Sequence, residues 1–181
     1  MNVEIMNDEN QINIILNKFQ ITSLNPMQND ALKTIRFNKD VVLLSPTGSG
    51  KTLAFLLPLI EKIDKKCNEI QILILVPSRE LAQQIEQVTR KMGAGHKVNA
   101  VYGGRSGSED KIDLKHRPAI LIGTPGRVAD RIRRNHFSLE HIHTLVLDEY
   151  DKALEIGFEK EMSEVISVLP SVNQRVLTSA T

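Results

Sequence analysis

The sequence predicts an α/β domain built on a mostly parallel sheet with helices on both faces, and three observations carry that expectation. Short segments that read as strands recur at residues 41–44, 72–76, 98–102, 119–122, 144–147 and 175–178. An apolar run without alternation, as at 41–44 and 72–76, suits a strand buried on both faces. Segments of helical character lie between them, which implies parallel βαβ units joined by crossovers. A segment rich in Gly, Ser, Thr, Arg or carboxylates directly follows each run, so these segments gather on the carboxyl edge of the sheet, where open α/β folds bind ligands.

A chain of 181 residues, 41% hydrophobic and 25% charged, is long enough for one domain with a real core. Its net charge of +1 gives no basic field over the whole surface, so any nucleic-acid contact must come from local clusters. The single cysteine, Cys67, excludes an internal disulfide and fits a reducing cytosol. His141 and His143 lack companions at metal spacing, so no structural metal is expected. No apolar run reaches membrane-spanning length and the amino terminus does not read as a signal sequence. A soluble cytoplasmic protein without a membrane partner is expected.

In chain order, Ile12, Ile15, Leu16 and Phe19 repeat at helical spacing and predict a first amphipathic helix whose stripe is core. Asn25-Pro26 supplies an N-cap and a first-turn proline for a second helix, through about residue 37, with Gln28 in its opening turn. A side-chain amide donates and accepts together, which matches the adjacent donor and acceptor of an adenine edge. The run Val41-Val42-Leu43-Leu44 then leads into Ser45-Pro46-Thr47-Gly48-Ser49-Gly50-Lys51-Thr52 and a further apolar segment, a strand–turn–helix arrangement. Gly48 and Gly50 let the turn curl its amides around an anion, and the helix starting near Gly50 adds free N–H groups and its positive dipole end. Ser45, Thr47 and Ser49 complete the loop, Lys51 can reach β and γ phosphates, and the Thr52 hydroxyl can ligate magnesium. This is P-loop chemistry, with Ser45 where the strict pattern has glycine. Pro58 should kink or shorten the helix that follows.

The second strand precedes Pro77-Ser78-Arg79-Glu80-Leu81, where Ser78 is a natural N-cap and Arg79 opens a helix to about residue 92, ended by Gly93 and Gly95. The third strand stops at Gly103-Gly104, before a polar segment and a short helix. The fourth delivers Thr124-Pro125-Gly126-Arg127, again an N-cap with a first-turn proline. Arg127, Arg131 and Arg134 fall at i, i+4 and i+7 and share one helical face, and a basic stripe beginning at a helix N-terminus suits a backbone phosphate. The fifth strand delivers Asp148-Glu149-Tyr150-Asp151. Asp148 is placed to hold a magnesium ion and Glu149 to orient or deprotonate a water attacking a γ phosphate. The sixth ends in Ser179-Ala180-Thr181.

Taken in order, Asn25 to Gln28, Ser45 to Thr52, Pro77 to Leu81, Gly103-Gly104, Thr124 to Arg127, Asp148 to Asp151 and Ser179 to Thr181 resemble the motif series of the first RecA-like domain of DEAD-box ATP-dependent RNA helicases, in helicase superfamily 2. The likeness covers nearly the whole chain. It implies a RecA-like P-loop NTPase fold over residues 1–181 and a second RecA-like domain, absent from this chain, that completes both the ATP site and the RNA groove. By the resemblance, Gln28 reads adenine, Lys51 and Thr52 hold phosphate and magnesium, and Asp148 and Glu149 serve hydrolysis. Arg79, Gly104, Thr124, Gly126 and Arg127 lie along the RNA sugar-phosphate backbone, while Asp151, Ser179 and Thr181 couple the nucleotide site to RNA and to the partner domain. Backbone contacts position a strand without reading its sequence.

The sequence departs from the family at Tyr150, where the family has alanine, and at Gln20 and Ile21, where it usually has glycine and an aromatic. Ile21 can cover the adenine without a π contact. The expected function is the ATP-binding half of an RNA helicase, nearly inactive alone because arginines from the second domain can contribute roughly 10³ to 10⁵ in rate. A DNA helicase or translocase of the same superfamily and a non-catalytic, nucleotide-gated RNA clamp are the alternatives.

Overall fold

The computed structural model describes residues 2–93, 95–104 and 114–180, with the backbone alone for residues 2–9. Six strands form one all-parallel sheet: β1 (Asp40–Leu44), β2 (Ile72–Leu75), β3 (Val98–Val101), β4 (Ile120–Gly123), β5 (Thr144–Leu147) and β6 (Gln174–Ser179). Their spatial order is β1-β6-β5-β2-β4-β3. Helices α1 (Asn2–Lys18), α2 (Pro26–Phe37), α3 (Lys51–Ile60) and α4 (Arg79–Met92) bury side chains such as Ile15, Leu16, Ile35, Phe55 and Ile85 with one face of the sheet, including Ile72, Ile74, Val146 and Val176. Helices α5 (Pro125–Arg133), α6 (Tyr150–Ile156) and α7 (Glu159–Ser167) cover the other face, against Leu73, Leu121 and Leu145. The α/β architecture expected from the alternation of runs is therefore present.

Local chemistry explains where the helices start and stop. The Asn25 side chain accepts from the Gln28 amide at 2.8 Å while Gln28 Oε1 accepts from the Asn25 amide at 3.0 Å, a reciprocal capping box with Pro26 at the first helical position. Helix α3 carries Pro58 and ends two residues later at Ile60, as a missing backbone donor requires. Ser78 caps α4 by accepting from the Leu81 amide at 3.1 Å, and Gly93 closes it in the left-handed region. Ile15 and Leu16 of α1 are core, as their spacing implied, and Lys18 Nζ donates to the Met92 carbonyl at 2.8 Å, at the negative end of α4. Residues 152–173, unassigned from sequence, form most of α6 and all of α7, separated by Gly157 at φ +96°.

One expectation is corrected. The run 41–44 read as a strand buried on both faces, yet Val42 is 65% and Leu44 61% exposed while Val41 and Leu43 are buried. The reason is position: β1 is outermost and pairs only with β6 among the described strands, and the helices on the α5–α7 side pack over β3 to β6 without reaching it. The polar segment expected at 105–113 and the residue Thr181 lie outside the described residues. No described helix is long and apolar enough to cross a membrane.

The amino edge of the sheet is fastened by Gln174. Its Nε2 donates to the Ile35 and Asn38 carbonyls, both at 2.7 Å, and its Oε1 accepts from Lys62 Nζ at 2.8 Å. One buried amide thus ties the C-terminal end of α2 to β6 and to Lys62, two residues beyond α3.

Candidate functional site

The strand order sorts the sequence-predicted residues into two groups along the carboxyl edge. The segments after β1, β6 and β5 are the glycine loop, Ser179 and the carboxylate pair; those after β2, β4 and β3 carry Arg79, Thr124 to Arg127 and Gly104. Strands β5 and β2 are hydrogen-bonded neighbours, so the two groups adjoin.

The loop begins by extending the sheet, with the Ser45 amide donating to the Ser179 carbonyl at 3.1 Å. Gly48 at φ +81° and Gly50 at φ +88° turn the chain through the left-handed region, which a residue with a Cβ would adopt only with strain. Lys51 is folded back into this turn. Its ammonium donates to the Pro46 carbonyl at 2.9 Å and to the Ser45 carbonyl. The Ser49 hydroxyl is buried and has no hydrogen-bond partner. A cavity of about 360 Å³ lies in front, lined by Thr47, Gly48, Gly50, Lys51 and Thr52 from one side, Asp148 and Glu149 from the other, and Leu81 and Gln84 of α4.

Asp148 stands at the end of β5, 3% exposed. Burial pushes its carboxyl above the ordinary value and Glu149 adds to that, while the Thr178 hydroxyl, Lys51 and the Glu149 amide oppose it. Glu149 sits in the left-handed region at φ +49°, ψ +50°, a conformation that costs a residue carrying a Cβ roughly 1–2 kcal/mol. Its amide donates to Thr178 Oγ1 at 3.1 Å and its carboxylate accepts from Lys152 Nζ at 3.0 Å. Asp151 opens α6. Desolvation raises its carboxyl, but hydrogen bonds from Ser179 and from the Lys152 and Ala180 amides outweigh that and hold it below the usual range. Asp151 and Ser179, assigned together from sequence, are thus in contact.

Gln28 reaches the loop through its own amide. Nε2 donates to the Gly50 carbonyl at 3.3 Å, and Asn25 Nδ2 donates to the Ser49 carbonyl at 3.1 Å. Gln28 is buried rather than solvated, and both ends of its amide already hold one protein partner, leaving one donor and one acceptor capacity. Ile21 packs at the margin of the core and does not line the cavity.

On the other half of the edge, the Arg79 guanidinium lies 5.6 Å from the centre of the Tyr102 ring. A Cβ on Gly104, which has φ +89°, would sit 3.5 Å from Arg79 Nη1, so these two residues are brought together. Thr124, Gly126 and Arg127 are half-buried at the start of α5. That helix seats closely because Gly123 has no side chain: a Cβ there would lie 2.5 Å from Val128 Cγ2 and 2.8 Å from the Val101 carbonyl. The expected stripe of arginines is corrected. Arg131 is only 4% exposed and pairs with Asp130 at 2.6 Å, and Arg134 bonds the other oxygen of Asp130 at 2.8 Å. A pair of salt bridges within one helix, rather than a row of open cations, accounts for their spacing.

Sequence reading missed Gln84, Lys152 and Thr178. Gln84 lies three residues after Leu81 on α4, so the two share the face turned to the cavity. Lys152 lies three residues after Glu149 on a helix. Thr178 carries no local signal, because its contacts come from the pairing of β5 with β6.

Among the described residues no cluster of three or more His, Cys, Asp or Glu could hold a metal by itself. The oxygen donors that do line the cavity, the Asp148 carboxylate and Thr52, are of the kind that holds magnesium with one or two protein oxygens together with phosphate and water. Asp148 with Thr52, beside an orphaned Ser49 hydroxyl in a glycine turn, fits a magnesium-bound polyphosphate.

Residues 25–181 match the family model described as DEAD/DEAH box helicase. The chain is 40% identical over 158 residues to the DEAD-box ATP-dependent RNA helicase CshA of Geobacillus kaustophilus, covering 86% of this chain and 34% of that protein. It is 38% identical over 168 residues to CshA of Bacillus subtilis, covering 92% and 34%. Against the ATP-dependent RNA helicase DbpA of Escherichia coli it is 37% identical over 169 residues, covering 92% and 37%. The chain spans about a third of the length of these relatives.

Proposed function

Because the chain belongs to the DEAD/DEAH box helicase family, we propose that it is the ATP-binding half of an ATP-dependent RNA helicase, coupling hydrolysis to RNA binding and local duplex separation. The observation that carries this reading is the cavity faced by the glycine turn and Lys51 on one side and by Asp148 and Glu149 on the other. Residues 1–181 would be the first RecA-like domain, with a second RecA-like domain as its partner. Relatives about two and a half times as long support that arrangement.

In this reading the loop amides from Ser45 to Gly50 and the N-terminus of α3 receive the phosphates. The Lys51 ammonium, released from the Ser45 and Pro46 carbonyls, neutralises the β and γ groups. Thr52 and Asp148 would hold magnesium, which when bound supplies charge neutralisation at the transferring phosphoryl. Glu149 accepts the proton of the attacking water, its backbone held at the turn by Thr178. Gln28 offers its remaining donor and acceptor to adenine, beside Ile21. Arg79, Gly104, Thr124, Gly126 and Arg127 meet RNA phosphates and sugars. Asp151, Ser179 and Thr181 connect the two halves of the edge. A cytoplasmic setting, with RNA and ATP under reducing conditions, suits the free thiol of Cys67.

The test has two arms. The 181-residue chain should bind an ATP analogue with magnesium, and Lys51→Ala should lose that binding. In the longer protein, RNA should stimulate ATP hydrolysis and DNA should not. Equal stimulation by DNA would replace RNA with DNA as the substrate, and nucleotide-free behaviour of the intact loop would remove the ATP assignment.

A further inference from the structure

Resting on the nucleotide reading above, the geometry points to Thr178 as a positioning residue that fixes both carboxylate-bearing positions at the end of β5. Thr178 is fully buried, on the face of β6 that it shares with Val176 and Gln174. Leu147 pairs with Leu177, so the next residue of each strand, Asp148 and Thr178, emerge side by side. A hydroxyl has one proton to give and lone pairs to receive. Here the proton goes to Asp148 Oδ1, and the oxygen receives the Glu149 amide at 3.1 Å.

Two consequences follow for the site. Donation to Oδ1 commits that oxygen to the protein and leaves Oδ2 as the one offered to a cation. Acceptance from the Glu149 amide holds the backbone at φ +49°, where an unconstrained glutamate would relax toward the ordinary helical region and swing its carboxylate away. Leu177 on the opposite face packs with the second apolar cluster, and Ser179 on that same face bonds Asp151. Strand β6 therefore delivers alternate side chains to the two functions: Thr178 to the cation and water positions, Ser179 to Asp151.

Valine matches threonine in outline but has neither donor nor acceptor. In Thr178→Val, the Asp148 carboxylate loses its fixed orientation and the Glu149 amide is left without a partner. Serine keeps the hydroxyl and loses only a methyl group. The experiment is titration of the 181-residue chain with a fluorescent methylanthraniloyl ATP, once in excess magnesium and once in excess chelator. The ratio of the two affinities is the readout, and it does not depend on turnover.

The expected result is a ratio reduced about tenfold or more in Thr178→Val, from the loss of a hydrogen bond to a charged group. Affinity in chelator should stay within about twofold, and Thr178→Ser should restore the ratio. A purely structural role would lower the melting temperature or both affinities together and leave the ratio unchanged, and that outcome overturns the inference. A crystal structure of the unsubstituted chain with magnesium and a non-hydrolysable ATP analogue tests it independently of how the variants fold. Asp148 should still accept from Thr178, and an Asp148 turned away from it would also overturn the inference. Failure of the unsubstituted chain to bind nucleotide in either buffer removes the nucleotide reading itself, whereas an unchanged ratio removes the role of Thr178 alone.

Discussion

The side-chain nitrogen of Gln28 lies 3.3 Å from the Gly50 carbonyl oxygen, and a Cβ placed on Gly50 would stand 2.4 Å from that same nitrogen. Gly50 also has φ +88°. Gly50→Ala should therefore cost about 2 kcal/mol, part from the left-handed backbone and part from displacing Gln28 out of its capping box. Denaturant unfolding measures the loss. In a Gln28→Ala background the steric part is gone, so the second substitution should cost less than it does alone, and strict additivity would contradict the contact.

Asp148 is buried and its carboxyl is raised chiefly by desolvation. A carboxyl raised in the folded state binds its proton more tightly there than in the unfolded chain. Its contribution to stability is full below the ordinary carboxylate range and is lost as pH rises through the raised value. Asp148→Asn should thus be more stable than the native sequence at neutral pH, with the difference shrinking toward pH 4. Melting temperatures across pH check the sign. The same variant should lose magnesium-dependent nucleotide binding.

Gln20 occupies the left-handed region at φ +58°, just beyond the end of α1. Gln20→Gly should stabilise the chain by roughly 0.5–1 kcal/mol, the relief of backbone strain exceeding the entropy glycine adds to the unfolded state. An unchanged or lower denaturation midpoint would count against strain there.

Gln174 fills three hydrogen bonds at the amino edge. Gln174→Leu takes away the donor to the Asn38 carbonyl and leaves the Ile35 carbonyl and the Lys62 ammonium only their mutual bond at 2.9 Å, and should destabilise by about 1–3 kcal/mol. The loss should show in thermal unfolding without altering nucleotide affinity in the variant that remains folded, because the site lies at the opposite edge.

In the longer protein, Glu149→Gln should bind ATP with affinity close to that of the native sequence and hydrolyse it at least about a hundredfold more slowly, since it removes the base and spares Lys51 and Asp148. Single-turnover hydrolysis separates the two. Turnover at the native rate would exclude Glu149 as the base.

The parts legible in the sequence are those set by neighbours along the chain. Asn25, Pro26 and Gln28 announce the start of α2 because capping is a four-residue event, and Gly48 to Thr52 announce the loop because its turns and helix start are contiguous. Exposure of Val42 and Leu44 was not legible, since being outermost depends on the order of all six strands. Nor was Thr178, whose partners lie 30 and 29 residues away on a paired strand. Arg131 misled for a related reason: spacing alone put it on a basic face, whereas the neighbouring Asp130 draws its guanidinium into a nearly closed pocket.

Strand β1 has one neighbour, and the glycine loop hangs from its end; β5 has two, and the carboxylates hang from its end. Amide hydrogen exchange should consequently be fastest along β1 and slowest along β5, β2 and β4. The two jaws of the cleft should thus differ in stiffness, the one hung from a strand with a single neighbour carrying the loop amides. Occupation of the cleft should then slow exchange in β1 far more than in β5.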